Sequence, residues 1–178
     1  GSVLRVALSQ AYWPHAWPSP EPVTVTLDIG GESLLELPVR RAGSPEPPPR
    51  MVPAPSLAEA GDRRDERTRR VRVDAKSRRH DIIDREVHER TIPDSRVRYS
   101  EQATDVYSIV EGDPLSARVH CERETRSEGG PVSWKVALTS DMTCDEQRFY
   151  IREDYAAFEG GILVHRQPRD HLIPRDGV

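Results

Sequence analysis

The chain has 178 residues, of which 35% are apolar and 31% charged, and its formal net charge is −4. That length fits one domain of ordinary size, and so low an apolar fraction predicts a thin core whose strands keep one wet face. The charge balance excludes a global field that would gather nucleic acid or an anionic membrane surface.

The first element, residues 3–9, is a short apolar run rich in β-formers. Residues 11–22 follow as a rigid loop holding Pro14, Pro18, Pro20 and Pro22, which lack the amide donor that a strand ladder needs. Residues 23–29 then alternate, with Val23, Val25, Leu27 and Ile29 on one face and Thr24, Thr26 and Asp28 on the other, the pattern of a half-buried strand. Gly30 and Gly31 turn the chain, and Leu35, Leu37 and Val39 continue the period as a hairpin partner.

Residues 41–61 are crowded with proline at first and read as a surface loop inside a single domain spanning 1–178. One short helical turn is predicted where Ser56 and Glu59 have capping-box spacing. Residues 62–79 carry nine Lys and Arg against four Asp and Glu. No aromatic residue interleaves them to stack on bases, and Val71 and Val73 fit a solvated edge strand, so a nucleic-acid site is not assigned. His80, Asp84 and His88 lie four apart and would share a helix face as metal ligands. Ile82, Ile83 and Val87 fit a strand equally well, and no metal or cofactor is assigned.

The second half repeats the strand signature. Val106, Ser108 and Val110 alternate, then Leu115, Ala117, Val119 and Cys121, with Glu111-Gly112-Asp113-Pro114 as the turn between them. Gly129-Gly130-Pro131 breaks the chain before Val132, Trp134, Val136 and Leu138. Phe149, Ile151 and Tyr155 make the next face, and Glu153 on the same parity predicts a bulge or an edge. Glu159-Gly160-Gly161 is a hairpin turn into Ile162 and Val164. Cys121 and Cys144 show neither zinc nor redox spacing and read as ordinary buried thiols, with a disulfide left open. No run approaches the ~18 apolar residues that span a bilayer, and a signal-peptide pattern is missing at the N-terminus, so the expectation is a soluble, cytoplasmic protein. Short strands punctuated by Gly and Pro, without a long amphipathic helix, predict an all-β antiparallel sandwich.

Three separated blocks carry a family resemblance. They are Leu4-Arg5-Val6-Ala7-Leu8-Ser9 with Ala11-Tyr12-Trp13-Pro14 and Trp17-Pro18-Ser19-Pro20-Glu21-Pro22-Val23-Thr24; then Val106-Tyr107-Ser108-Ile109-Val110-Glu111-Gly112-Asp113-Pro114-Leu115-Ser116-Ala117; then Phe158-Glu159-Gly160-Gly161 with Ile173-Pro174-Arg175-Asp176. In this order they resemble the C-terminal domain of the cocaine esterase and X-Pro dipeptidyl-peptidase family of α/β-hydrolases, over residues 3–40 and 106–178. The resemblance implies a jelly-roll (galactose-binding-like) β-sandwich, incomplete at its N-terminus, forming the C-terminal part of a longer hydrolase. Its partners would be the α/β-hydrolase domain of the same polypeptide and a second copy through an exposed sheet edge. Relatives open the first matched strand with Gly-His-Arg, where this chain has Gly1-Ser2-Val3.

A serine hydrolase needs a nucleophile elbow, Gly-x-Ser-x-Gly, and the chain has none. No βαβ pattern exists to mount a triad, so no catalytic residue is assigned. The candidate functional surface is the loop of Tyr12, Trp13, His15 and Trp17, since rigid aromatics are effective interface anchors. Two placements are open for it: facing the hydrolase domain as a pocket wall, or capping the end of the sandwich core. The expected function is a non-catalytic accessory domain that shapes the entrance of a serine hydrolase. The alternative is a free-standing sandwich that binds a carbohydrate or other small ligand through the aromatic loop.

Overall fold

From residue 62 onward the period-two pattern is realised as long strands joined by short turns. The computed structural model describes residues 3–21, 23–31, 33–38, 62–93 and 95–176. Its strands are β1 (Arg63–Asp74), β2 (Arg79–Thr91), β3 (Arg98–Val110), β4 (Asp113–Glu128), β5 (Trp134–Cys144), β6 (Arg148–Glu159) and β7 (Ile162–Pro174). Each pairs antiparallel with its chain neighbour, giving one seven-stranded sheet in sequence order. The connections explain that order, because a two-residue turn can only return the chain beside the strand it has just left. Glu111-Gly112 joins β3 to β4 and Gly160-Gly161 joins β6 to β7, with Gly160 and Gly161 at φ 55° and 84°. At the β4–β5 turn Gly129 has φ 83°, and a Cβ there would lie 2.5 Å from the Arg96 carbonyl oxygen. The turn therefore runs against the β2–β3 connection at a distance that only glycine permits.

The registers sort the side chains into rows. One face carries Val71, Ile82, Tyr107, Val119, Met142 and Ile151 across six strands, and beside it a polar row of Arg69, Asp84, Asp105, Cys121, Ser140, Glu153 and Arg169. The other face is laced with ion pairs, among them Arg118–Asp141, Arg152–Asp170 and Arg166–Asp154. Such exposed pairs contribute at most about 1 kcal/mol each, so they keep that face wet rather than hold the sheet together. Among the described residues the buried core is small, with Val87, Ala117 and Phe149 in it, in keeping with the thin core that the composition predicts.

The all-β, antiparallel class expected from the sequence is the class observed. β1 is the solvated edge read from Val71 and Val73, exposed along its whole length. Residues 3–9, 23–29 and 33–38 depart from expectation: they join no strand ladder. The sheet uses its hydrogen bonds between chain neighbours, and a segment with strand-like alternation becomes a strand only when another strand meets it. The strands among the described residues thus form one sheet. Glu153 lies in an unbroken stretch of β6 between Ser140 and Arg169, while the irregularity falls at Ala157 and Phe158. Val39, the loop at 41–61 and the turn read from Ser56 and Glu59 lie outside the described residues. No helix among the described residues is long and apolar enough to cross a membrane.

Candidate functional site

The aromatic loop sits on the sheet face that carries Tyr107 and Phe149, and the four candidate residues divide into an inner and an outer pair. Trp13 meets Trp17 edge-on at 5.1 Å and Tyr107 at 6.4 Å between ring centroids. Trp17 meets Phe149 edge-on at 5.3 Å and directs its indole N–H to Cys144 Sγ at 3.1 Å. Edge-to-face contacts of this kind contribute beyond area burial, and they fasten the loop over β3 and the β5–β6 turn. Tyr12 and His15 point away, their rings 4.9 Å apart, with Tyr12 68% exposed. A hydrogen bond from the Ala16 N–H to the Tyr12 carbonyl, 2.9 Å, closes the turn that separates the pairs.

Arg175 completes the fastening. Its guanidinium donates to the Pro18 carbonyl at 2.6 Å and to the Asp145 carbonyl at 2.9 Å, and lies over the Phe149 ring at 4.8 Å. Both Pro18 and Arg175 are buried. Arg175 thus ties the end of the chain, the β5–β6 turn and the aromatic loop into one unit. The sequence pointed to this residue only as part of the Ile173-Pro174-Arg175-Asp176 block; nothing in its local pattern gives its partner, which is 157 positions away.

The polar row next to the loop is a chain of charge-assisted bonds. Arg69 grips Asp84 through two bonds at 2.6 and 2.5 Å, and Arg123 grips Asp105 at 2.7 and 2.8 Å. The Arg69 hydrogen bond holds the Asp84 carboxyl below its ordinary range. Burial works against ionisation of Asp105, but the Arg123 bonds outweigh it and depress that carboxyl too. Cys121, opposite Asp105 in the ladder, is pushed up to about 12, first by burial and then by the hydrogen bond and charge of Asp105. A thiol so disfavoured as thiolate is a poor nucleophile. Cys121 and Cys144 are both free, which resolves the bonding left open by the sequence.

His80, Asp84 and His88 all lie on β2. Strand rise separates residues four apart by about 13 Å, so the helical face that would gather them around one metal ion is not formed. His88 instead meets Asp65 at 2.7 Å, and His120 lies 3.1 Å from Asp141 and 3.3 Å from Glu122. Ser108 donates its hydroxyl to Asp81 at 2.8 Å and accepts from Arg79 at 2.9 Å. Among the described residues no Ser, Thr or Cys side chain is hydrogen-bonded to a histidine, so the histidine–carboxylate pairs lack the nucleophile that acyl chemistry needs.

No family model, no curated protein and no solved structure matches the chain. Fold and site together define an all-β protein built on one antiparallel sheet, with a fastened aromatic loop that presents Tyr12 and His15.

Proposed function

We propose that this chain is the non-catalytic, C-terminal accessory domain of a serine hydrolase resembling the cocaine esterase and X-Pro dipeptidyl-peptidase family. In this reading it is a cytoplasmic jelly-roll-type sandwich packed on the α/β-hydrolase domain of the same polypeptide. The observation that carries it is the division of the aromatic loop. Two tryptophans and Arg175 hold the loop to the sheet, so Tyr12 and His15 are presented on a backbone that loses little freedom on contact, as a wall of an active-site entrance requires. The exposed apolar side chains of residues 3–9, such as Leu4, Val6 and Leu8 at 60–66%, support the same reading, because contiguous exposed apolar surface marks an interface.

The test has two arms. The purified chain alone should not turn over a chromogenic ester; sustained turnover abolished by a serine-reactive phosphonate refutes the proposal. In the full-length hydrolase, Tyr12→Ala with His15→Ala should lower kcat/KM by about tenfold, a loss of about 1.4 kcal/mol in transition-state binding. Unchanged kinetics would remove these residues from the entrance. The exposed Tyr12 ring also favours a second reading, a carbohydrate-binding module, which titration of the isolated chain with oligosaccharides would reveal as quenching lost in Tyr12→Ala.

A further inference from the structure

Opposite charges that face each other across a strand ladder attract at close quarters, with Cβ atoms about 4.5–5.5 Å apart. Arg67 and Glu86, Arg69 and Asp84, and Arg152 and Asp170 stand in this way, and they are joined at 2.9, 2.5 and 2.9 Å. Glu153 on β6 and Arg169 on β7 are also directly opposite, yet no ion pair joins them. They are drawn apart along β7. The Arg169 guanidinium donates to the side-chain oxygen of Gln167 at 2.9 Å, while Glu153 lies 3.4 Å from Nε2 of His171, beyond Arg169 on the same strand. A cavity of about 350 Å³ opens here, lined by Leu138, Tyr155 and Gln167 together with the two ions. Leu138 and Tyr155 are opposite each other across β5 and β6, on the face that carries Glu153, and Tyr155 is 37% exposed. The cavity thus joins an apolar wall to two separated charges of opposite sign.

We propose that this cavity binds a small zwitterion of the free α-amino acid kind, its carboxylate on Arg169, its ammonium on Glu153 and an apolar side chain against Tyr155 and Leu138. Charge selects that class. A plain anion on Arg169 would sit beside Glu153, and a plain cation on Glu153 would sit beside Arg169, so that repulsion offsets the attraction in each case. A neutral sugar would leave both charges uncompensated. The zwitterion satisfies both, and Gln167 occupies only part of the guanidinium's donor fork, which leaves N–H groups for a carboxylate. Because Gln167 and His171 already hold the two ions apart, little side-chain freedom is lost when the ligand enters. The volume suits a ligand of this size, being near the lower end of the about 300–1,000 Å³ of small-molecule sites. Glu153 lies four residues along β6 from Phe149, about 13 Å from the footing of the aromatic loop, and the site stands independently of the hydrolase reading.

Titration of the isotope-labelled full chain, followed by its amide chemical shifts, tests this. L-phenylalanine and L-leucine should bind saturably with a Kd of about 1 mM or tighter, and the shifts should centre on β6 and β7 around Glu153 and Arg169. Phenethylamine, which lacks the carboxylate, and phenylpropionate, which lacks the ammonium, should each bind at least about tenfold more weakly than L-phenylalanine. Arg169→Gln should erase the preference for L-phenylalanine over phenethylamine, and Glu153→Gln the preference over phenylpropionate, a crossed pattern that a merely structural role would not produce. Tyr155→Ala should weaken both amino acids at least about fivefold, Arg152→Gln on the other face should leave them unaffected, and the far-UV spectra of all four variants should match the wild type. Failure of both amino acids to bind, equal affinity for the singly charged compounds, binding of glucose in their place, or variants that keep the wild-type preferences would each overturn the proposal.

Discussion

Replacing Trp17 with alanine should detach the aromatic loop from the sheet and lower global stability, because the loop is packed into the unit that holds the β5–β6 turn. Truncating a wholly buried tryptophan costs about 3–5 kcal/mol. Trp17 is only half-buried, so the transfer and cavity part comes to about 2 kcal/mol on the same scale. Its edge-on contacts with Phe149 and Trp13 add at least about 1 kcal/mol together when the pairs are lost. The sum, about 3 kcal/mol, corresponds to a fall in Tm of roughly 6–12 °C for a chain of this size. Urea unfolding followed by far-UV circular dichroism, with near-UV ellipticity as the report on indole packing, measures both effects. Trp17→Phe keeps a ring against Phe149 and gives up the N–H bond to Cys144, and should cost under about 1.5 kcal/mol. An unchanged urea midpoint in Trp17→Ala, with the sheet spectrum intact, would show that the loop does not belong to the cooperative unit and would refute the reasoning.

Three further outcomes follow from particular residues. Gly129→Ala should destabilise by about 3 kcal/mol, since it combines left-handed backbone with a Cβ placed 2.5 Å from the Arg96 carbonyl oxygen, whereas Gly161→Ala meets open space at φ 84° and should cost only about 1 kcal/mol; equal denaturation midpoints for the two would contradict the close approach. Burial opposes charging of His120, but Glu122 and Asp141 outweigh it and raise its pKa. The stabilisation is therefore complete below the ordinary histidine value and lost as pH rises through the raised one. A proton NMR titration should place its midpoint above 6.5, and His120→Gln should remove a pH-dependent stability of at most about 1 kcal/mol. With its pKa near 12, Cys121 should react with a disulfide reagent at pH 8 far more slowly in the folded chain than after unfolding, and equal rates would argue against its burial beside Asp105.

Leu115, Val119 and Val136 illustrate what local pattern conveys. Each sits in a run whose apolar residues recur every second position, and each lies on a strand in the structure, because side-chain alternation is a property of single extended backbone. The turns at Gly112, Gly129 and Gly160 were legible for a similar reason, as they ask for φ values that glycine adopts without strain. The candidate site was legible only as a list of aromatics. That Trp13 and Trp17 turn in while Tyr12 and His15 turn out depends on Phe149, Tyr107 and Cys144, which no periodicity in residues 11–22 could name.

The amino-acid order by itself determined the all-β class, the strand character of β3 to β7 and the wet character of β1. These rest on period, turn chemistry and charge within a few neighbouring residues. The tertiary structure alone decided that each strand pairs with its chain neighbour, that residues 23–29 stay without a ladder, and that Arg175 reaches Pro18. Those choices compare the hydrogen bonds and contacts of segments far apart in the chain, and a local pattern contains no such comparison.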